Sequence, residues 1–328
     1  MVSRGLRFVS LSIIAVLIGA VIFSIRLDTS FDALQQDYGG ELTTYLPLAS
    51  GARAHYRDDG NAQGRAVVLL HSEGSSLQEW DGWVRQMGDT YRLIRIDLPG
   101  HGLTGRVPGD DYSRRAMASF VLDAVNALGL DQFVLVGADM GGGVAWEFAR
   151  AHPERLSHMV LLAPTGVGYV PEDQPLAVIA ARNPLTRPLA RWIFPRWAAA
   201  NALYKSFVDD NHVTDAMIDR RWRLARLSAN RVATVRRHAL PDEVPLREFD
   251  GAIHVPTVVL WGEEDQILPL DRERVEWDLR TKFAGGPDEN PLYTFSGVGH
   301  FPHEEQALFS AAFAANFIET HSDPENAE

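Results

Sequence analysis

The chain has 328 residues, of which 46% are hydrophobic and 23% are charged, and its formal net charge is −12 at pH 7. Such values are typical of a globular protein that can bury a full core. The acidic balance argues against nucleic-acid binding, because phosphate backbones attract basic surfaces. The sequence contains no cysteine, which excludes disulfides, thiolate metal sites and a cysteine nucleophile.

An uncharged apolar run lies near the N-terminus. It covers residues 8–25, 18 in all, and follows Arg4 and Arg7. This length just spans a hydrocarbon core of about 30 Å, and the basic flank favours a cytoplasmic N-terminus. No A-x-A site follows, so residues 1–27 are predicted to be an uncleaved anchor with the catalytic part outside the cytoplasm. A cleaved signal peptide on a secreted protein is the alternative. Residues 28–41 are predicted to be a tether.

Strand-like and helix-like segments alternate from Leu42 onward. The predicted strands are Leu42–Leu46, Ala52–Arg57, Ala66–Leu70, Tyr91–Asp97, Gln132–Gly137, Met159–Ala163, Thr257–Gly262 and Leu292–Phe295. The predicted helices are Gln78–Met87, Arg114–Leu128, Gly142–Ala151 and Leu308–Thr320. Continuous apolar runs such as Val67–Leu70 are typical of parallel strands buried on both faces. The alternation predicts an α/β fold, with a mostly parallel eight-stranded sheet and helices on both faces.

One long segment interrupts this alternation. Residues 165–249 contain no convincing strand and are divided by prolines into short helical patterns. We interpret them as a helical cap inserted into a core of residues 42–164 and 250–320, with a flexible tail at 321–328. A second independent domain is disfavoured, because the strand pattern resumes at Val258.

A strand-to-helix turn with an acidic residue at its centre carries the main chemical signal. The turn reads Gly137-Ala138-Asp139-Met140-Gly141, after an apolar strand and before a helical pattern. Small neighbours allow a sharp turn that lifts its central side chain to the carboxyl edge of the sheet. The N-terminus of the following helix favours negative charge there. Asp139 is therefore the candidate nucleophile.

Two further segments complete the pattern. The loop His71-Ser72-Glu73-Gly74 leaves an apolar strand and can direct a backbone N–H at developing negative charge. Asp265 and His300 each follow a later strand, so the chain order is nucleophile, acid, histidine. Glu263 and Glu264 are alternative candidates for the acid. The spacing to Pro269 favours Asp265 over both of them.

With these residues the chain resembles the α/β-hydrolase superfamily, from about Leu42 to Phe317. The segments DLPGHGLTG (97–105) and HPERLSHMVLLAP (152–164) resemble its connecting segments as well. Most members have serine at the position of Asp139, and His-Gly where this chain has His71-Ser72. Aspartate there resembles the branch of epoxide hydrolases, haloalkane dehalogenases and fluoroacetate dehalogenases, in which the carboxylate forms an alkyl-enzyme ester.

This resemblance implies a two-step mechanism. A carboxylate with a pKa of about 4 is already ionised at neutral pH and needs no activation. His300, held by Asp265, would then activate the water that hydrolyses the ester. Backbone N–H groups of Met140 and of the Ser72–Glu73 loop would stabilise the oxyanion, and His71 would brace that loop.

The choice of reaction depends on the residues beside the nucleophile. The dehalogenases place tryptophan after the nucleophile and often asparagine near the position of Glu73, so Met140 and Glu73 count against halide chemistry. Epoxide hydrolases supply cap tyrosines that protonate the leaving oxygen, and Tyr169 and Tyr204 lie in the predicted cap. A further hypothesis is that Glu73 faces Asp139, that its pKa is therefore raised, and that it donates the proton to the leaving oxygen. An epoxide hydrolase-like reaction is favoured.

Several alternatives stay open. The chain could be a haloalkane dehalogenase, a relative of serine-type esterases, or an inactive membrane-tethered protein that binds small molecules. The glycines at 141–143 do not form a phosphate loop, since no lysine follows. We expect no metal or cofactor, and an apolar small molecule and water as substrates. We assign no catalytic role to His101, to His303 or to the cap tryptophans.

Overall fold

A computed structural model describes residues 19, 28–40, 44–168, 176–190, 192, 194–241, 244–284 and 290–321. Nearly all of the predicted anchor, the predicted tail beyond residue 321 and the predicted cap residue Tyr169 lie outside these ranges. Among the helices of the described residues, none is long and apolar enough to cross a membrane. The anchor therefore stays a prediction.

Eight strands form one sheet. They are β1 (Thr44–Pro47), β2 (Arg53–Gly60), β3 (Ala66–Leu70), β4 (Arg92–Ile96), β5 (Phe133–Ala138), β6 (Leu156–Leu162), β7 (Thr257–Gly262) and β8 (Leu292–Phe295). Their spatial order is β1-β2-β4-β3-β5-β6-β7-β8. Only the pairs β1–β2 and β2–β4 are antiparallel. The carboxyl ends of the parallel strands consequently share one edge, where the loops after β3, β5, β7 and β8 meet.

Twelve α-helical segments are described. They are α1 (Phe31–Leu34, continued by a π-helical turn at Gln35–Gly39), α2 (Asp81–Met87), α3 (Arg114–Ala127), α4 (Met140–Ala151), α5 (Leu176–Arg182), α6 (Arg187–Ala190), α7 (Arg196–Ser206), α8 (Asp215–Ala225), α9 (Ser228–His238), α10 (Arg272–Lys282), α11 (Pro302–Glu305) and α12 (Ala307–Thr320). Helices α3, α4 and α10 contribute to the hydrophobic core on one face of the sheet. Helices α2 and α12 pack against the other face. The predicted eight-stranded α/β fold is confirmed.

The predicted element boundaries differ from the structure in a few places. β6 begins at Leu156, three residues before the predicted strand, although Ser157 and His158 interrupt the apolar pattern there. His158 is only 3% exposed, which no periodicity would indicate. Helix α10 was missed, because its sequence is mostly charged and shows little amphipathic spacing.

Residues 28–40, which we predicted to be a tether, are folded against the protein. Ser30 caps α1 by accepting a hydrogen bond from the backbone N–H of Ala33. Leu34 is fully buried and packs with Leu224 and Leu227 of the predicted cap. The acidic composition of the segment indicated solvent exposure, whereas Asp28 and Asp37 form ion pairs with arginines of the predicted cap.

Helices α5–α9 all lie between β6 and β7 in the chain, within residues 165–249. We refer to these residues as the cap segment. Two of the helices contact the loops at the carboxyl edge of the sheet: Arg237 of α9 pairs with Glu73, and Arg221 of α8 lies 3.6 Å from Glu79. The segment therefore reaches the predicted site from above the sheet.

Candidate active site

The turn after β5 depends on glycine at its two flanks. A Cβ atom at Gly137 would lie 2.3 Å from the carbonyl oxygen of Gly141, and one at Gly141 would lie 2.3 Å from that of Leu70. Such contacts are far below van der Waals distance, so only glycine allows strand, turn and helix to approach this closely. Asp139, between them, has φ +49° and ψ −115°. The predicted nucleophile therefore has a strained backbone conformation.

The backbone and side chain of Asp139 are held by separate sets of contacts. Its carbonyl oxygen accepts hydrogen bonds from the N–H groups of Gly143 and Thr165, both at 3.0 Å. Its side-chain Oδ2 accepts one from the backbone N–H of Glu73 at 2.9 Å. The side chain remains 13% exposed. One carboxylate oxygen is thus fixed by the loop after β3, while Oδ1 points toward His300.

His300 and Asp265 form a buried pair at the ends of the last two strands. The His300 Nδ1 lies 2.7 Å from Asp265 Oδ2, and its Nε2 lies 3.7 Å from Asp139 Oδ1. Asp265 Oδ1 accepts hydrogen bonds from the N–H groups of Ile267 and Leu268. Since an ionised carboxylate only accepts, Nδ1 carries a proton and Nε2 faces Asp139. Glu264 instead binds the loop before His300, so of the candidates only Asp265 contacts it.

The pKa of His300 is raised to about 9. Burial by itself lowers it, but the carboxylates of Asp139 and Asp265 outweigh that effect by stabilising the imidazolium. At neutral pH in the resting site, Nε2 therefore carries a proton. Loss of the charge on Asp139 would lower the pKa and free this nitrogen to act as a base.

The order and placement of Asp139, Asp265 and His300 agree with a comparison of the chain with known protein families. Residues 65–307 match a family model described as the alpha/beta hydrolase fold. The chain belongs to this family. It is an enzyme of the hydrolase class, as the sequence predicted.

The proteins that resemble this α/β hydrolase are named for different hydrolase activities. A 2-hydroxy-6-oxo-6-phenylhexa-2,4-dienoate hydrolase from Comamonas testosteroni is 29% identical over 277 residues, 80% of this chain and 90% of that one. An esterase from Thermogutta terrifontis has a TM-score of 0.69 and 24% identity, and covers 86% of this chain and 99% of its own. The epoxide hydrolase CorEH has a TM-score of 0.67 and 21% identity, over 85% and 98%. At these identities the two structures establish the fold alone.

These relatives correct one part of the predicted resemblance. The family as a whole is shown, but the relatives do not single out the aspartate-nucleophile branch or an epoxide hydrolase. The reaction must therefore be argued from the residues of the site.

The loop after β3 is braced from below by His71. The backbone N–H of Leu98 donates to His71 Nε2 at 3.0 Å, which leaves the proton on Nδ1. Nδ1 then donates to the carbonyl oxygen of Ser72 at 2.8 Å. These contacts are those of a structural histidine. They fix the loop that presents the Glu73 N–H to Asp139.

Ser72 does not reach the oxyanion position that we predicted for it. It is fully buried, and its N–H and Oγ–H both donate to Glu79 Oε1, at 3.1 and 2.7 Å. The loop turns at this residue, so its polar groups point into the protein while the next N–H points at Asp139. In this structure, the donor from the loop is therefore Glu73 alone.

The hypothesis of Glu73 as a neutral acid is wrong. Its side chain turns toward the cap segment, where Oε1 lies 2.6 Å from Arg237 and 2.7 Å from His238 Nε2. Desolvation alone would raise the pKa of Glu73, but Arg237 and His238 outweigh it and hold that pKa well below its usual range. Glu73 is ionised at neutral pH and cannot donate a proton.

Replacing Glu73 tests this correction. In Glu73→Gln the backbone N–H remains, and the lost ion pair is partly exposed, at 44% for the carboxylate. We expect turnover at neutral pH to fall at most about fivefold, the worth of a surface pair. A general acid would account for about 10²- to 10⁴-fold. Steady-state kinetics decides between the two, and a loss in the higher range would restore the acid role.

A buried glutamate beneath the loop was not found by sequence reasoning. Glu79 is 2% exposed, and its Oε1 also lies 2.6 Å from Nε2 of His303. Burial alone would raise the pKa of Glu79, but His303 and Arg221 outweigh it and hold that pKa far below its usual value. The Glu79–His303 pair connects the loop after β3 to the segment after His300. His303, to which we assigned no role, is thus part of the support of the site.

Replacing Glu79 should destabilise the protein strongly. In Glu79→Gln the buried side chains of His303 and Arg221 lose the carboxylate that they share, although Arg221 keeps Glu304 at 3.5 Å. We expect this to cost about 3 kcal/mol of unfolding free energy at pH 7. Because folding lowers the pKa of Glu79 from 4.5, its contribution is present above that pH. The difference from wild type should therefore shrink as the pH falls below 4.5.

Urea unfolding of wild type and Glu79→Gln, from pH 7 to below pH 4.5, measures this difference in unfolding free energy. Glu304→Gln is a matched control, because burial raises the pKa of that neighbouring carboxyl. Glu304→Gln should lower the free energy of unfolding at pH 7 clearly less than Glu79→Gln does. Equal losses for the two variants would contradict the role of Glu79.

The remaining predicted residues have weaker support. Met140 begins α4 and is half-buried against the core, so its N–H as a second oxyanion donor stays a prediction. Tyr204 is 42% exposed on α7, and no contact with the site is seen for it. His101, predicted to be a bystander, accepts a hydrogen bond from Arg237 at 3.1 Å and so helps to orient the cation that binds Glu73.

Proposed function

We propose that this α/β hydrolase uses Asp139 as a nucleophile that forms a covalent ester with an electrophilic carbon of its substrate. The arrangement of the carboxylate carries this proposal. Oδ2 is held by the Glu73 N–H, whereas Oδ1 lies 3.7 Å from His300 Nε2, and the side chain is 13% exposed at the strained turn. An ionised carboxylate held in this way needs no base to activate it.

In the first step, Oδ1 attacks the carbon, and the leaving oxygen takes a proton from a cap tyrosine, for which Tyr204 and Tyr169 are the candidates. For an epoxide, one carbon–oxygen bond breaks as the ester bond forms, and the ring oxygen becomes a hydroxyl. Oδ2 becomes the carbonyl oxygen of the ester and retains its hydrogen bond from Glu73. The N-terminus of α4 stabilises the carboxylate before the attack.

In the second step, His300 acts as the base. Ester formation removes the charge of Asp139, which lowers the pKa of His300 from its resting value of about 9. The proton of Nε2 passes through solvent to the tyrosinate, and the free Nε2 then takes a proton from water as the hydroxide attacks the ester carbonyl. The oxyanion on Oδ2 is held by the Glu73 N–H. Collapse releases the alcohol and leaves the oxygen from water on Asp139.

An epoxide is the substrate that we favour. Met140 supplies no side-chain donor for a halide ion beside the nucleophile. The structure weakens the second argument against halide, because Arg237 and His238 neutralise Glu73. The assignment therefore rests on Met140 and on the cap tyrosines, of which Tyr204 is described and Tyr169 is not.

The charge coupling between Asp139 and His300 gives a testable pKa shift. In Asp139→Asn one of the two carboxylates that raise the pKa is lost, so His300 should titrate clearly below about 9. Histidine-selective NMR titration measures this, with the signal assigned by its loss in His300→Gln. Glu263→Gln should leave the value unchanged, since Glu263 contacts Thr294 instead. An unchanged value in Asp139→Asn would contradict the proposed contact.

A substrate panel tests the reaction itself. Terminal and aryl epoxides, alkyl halides, aryl esters and a 2-hydroxy-6-oxo-dienoate should be compared at equal concentration with wild type and Asp139→Asn. We expect epoxide turnover that depends on Asp139. Turnover of esters alone, or binding without turnover of any class, would overturn the proposal.

Hydrolysis of an oxo-dienoate is a second candidate. It is favoured by the 29% identity with the Comamonas testosteroni hydrolase. Asp139 would then serve as a general base for water, and no covalent adduct would form on it. The same panel separates the two reactions, since this candidate predicts turnover of the oxo-dienoate and not of the epoxides.

A further inference from the structure

The segment that follows the predicted anchor is fixed to the cap segment. Asp28 pairs with Arg231 of α9, and Asp37 pairs with Arg223 of α8. Farther along, the carbonyl oxygen of Tyr38 accepts hydrogen bonds from Arg57 at 3.0 Å and from Gln78 at 2.7 Å. Asp28, the described residue that directly follows residues 1–27, therefore lies beside α9.

The distance from that point to the predicted membrane segment is short. The apolar run ends at Ile25, so only Arg26 and Leu27 separate it from Asp28. Three consecutive Cα steps span at most about 11 Å. If residues 8–25 cross a bilayer, the surface around Arg231 must lie at its interface.

Exposed aromatic side chains cluster in sequence at this part of the cap segment. The ring of Trp192 lies 4.6 Å from the guanidinium of Arg231 and is 38% exposed. Phe194 is 38% exposed and Trp197 is 70% exposed. The exposed large apolar residues of the segment also include Ile179, Leu185, Tyr204 and Val208. Aromatic rings beside arginine are suited to the boundary between lipid headgroups and acyl chains.

We propose that Trp192, Phe194, Trp197 and the adjoining end of α9 form a docking surface for the lipid bilayer. Trp197 and Phe194 enter the headgroup region, next to the exit of the anchor, and the cap segment faces the membrane. The far end of α9 carries Arg237, which contacts Glu73. Arg237 and Arg231 are about 9 Å apart along the axis of this helix. Entry of an apolar substrate from the bilayer would follow, a consequence that rests on the proposed function, whereas the docking surface does not.

The absence of cysteine makes a labelling experiment direct. The full chain carrying Trp197→Cys, labelled with the fluorophore NBD, is incorporated into vesicles of phosphatidylcholine and phosphatidylglycerol. Leu308→Cys is the matched control, because Leu308 is an apolar residue, 55% exposed, on α12 at the other face of the sheet. Each is measured with and without doxyl-labelled lipid. No substrate is present, so failure here is distinct from failure of the proposed reaction.

We expect a blue-shifted emission and strong loss of emission with doxyl lipid at position 197, and neither at 308. Asp28→Arg, which breaks the pair with Arg231, should reduce the loss of emission at 197. Equal behaviour at the two positions would overturn the proposal. So would a blue shift at 197 that depends on protein density but not on doxyl lipid, which would indicate a second copy. Failure of the chain to associate with vesicles would overturn it as well.

Discussion

Asp139→Asn is expected to reduce kcat/KM for the favoured epoxide by about 10⁴-fold or more, the range found when a nucleophile is removed from a catalytic triad. The amide keeps the shape of the side chain but has no negative oxygen to attack carbon. Its fold should persist, since the turn is fixed by glycines and by backbone contacts of residue 139. Steady-state kinetics and a thermal unfolding curve measure the two effects separately.

A matched control keeps this result specific. Glu263→Gln removes a carboxylate close to the acid of the pair, but Glu263 contacts Thr294 rather than His300. It should change kcat/KM by less than about fivefold. Retention of activity in Asp139→Asn, above a few per cent of wild type, would show that the carboxylate is dispensable.

His300→Gln is expected to separate the two chemical steps. Attack by Asp139 does not need the histidine as a base, so the ester should still form. Its hydrolysis should slow by about 10³-fold, the contribution of a general base. The alkyl-enzyme would then accumulate to nearly one equivalent per chain, visible as a mass increase equal to the substrate in intact-protein mass spectrometry.

Asp265→Asn provides the comparison. Asp265 holds Nδ1 of His300 at 2.7 Å, so its replacement should slow the second step without abolishing the first. The double variant Asp139→Asn/His300→Gln should form no adduct. An adduct in the double variant, or no accumulation in His300→Gln while Asp139 is intact, would contradict the order of steps.

The sheet and the main site residues could be predicted from the sequence because their signals are local. Buried parallel strands form continuous apolar runs, and β3 and β7 were predicted to the residue, as was the less buried β8. The turn at Asp139 was indicated by its small neighbours, whose lack of a Cβ the structure explains by close backbone contacts. Asp265 and His300 were predicted to be site residues because each of them follows a predicted strand.

The support around the site could not be predicted, because it depends on contacts between distant segments. Glu79 and His303 are 224 residues apart in the chain, and nothing in either local pattern indicates that they meet. The hypothesis about Glu73 failed for the same reason, since its partners Arg237 and His238 come from the cap segment, 164 and 165 residues away. A pKa depends on such partners more than on the sequence nearby.

The course of an oxygen atom tests the central claim most directly. Wild-type enzyme in excess over an epoxide completes one turnover in ¹⁸O-labelled water, and the peptide that contains Asp139 is then analysed by mass spectrometry. The account predicts one ¹⁸O in the carboxylate of Asp139 and unlabelled oxygen in the product of that first turnover. Label in the product with none in Asp139 would show direct attack by water and contradict the proposed nucleophile.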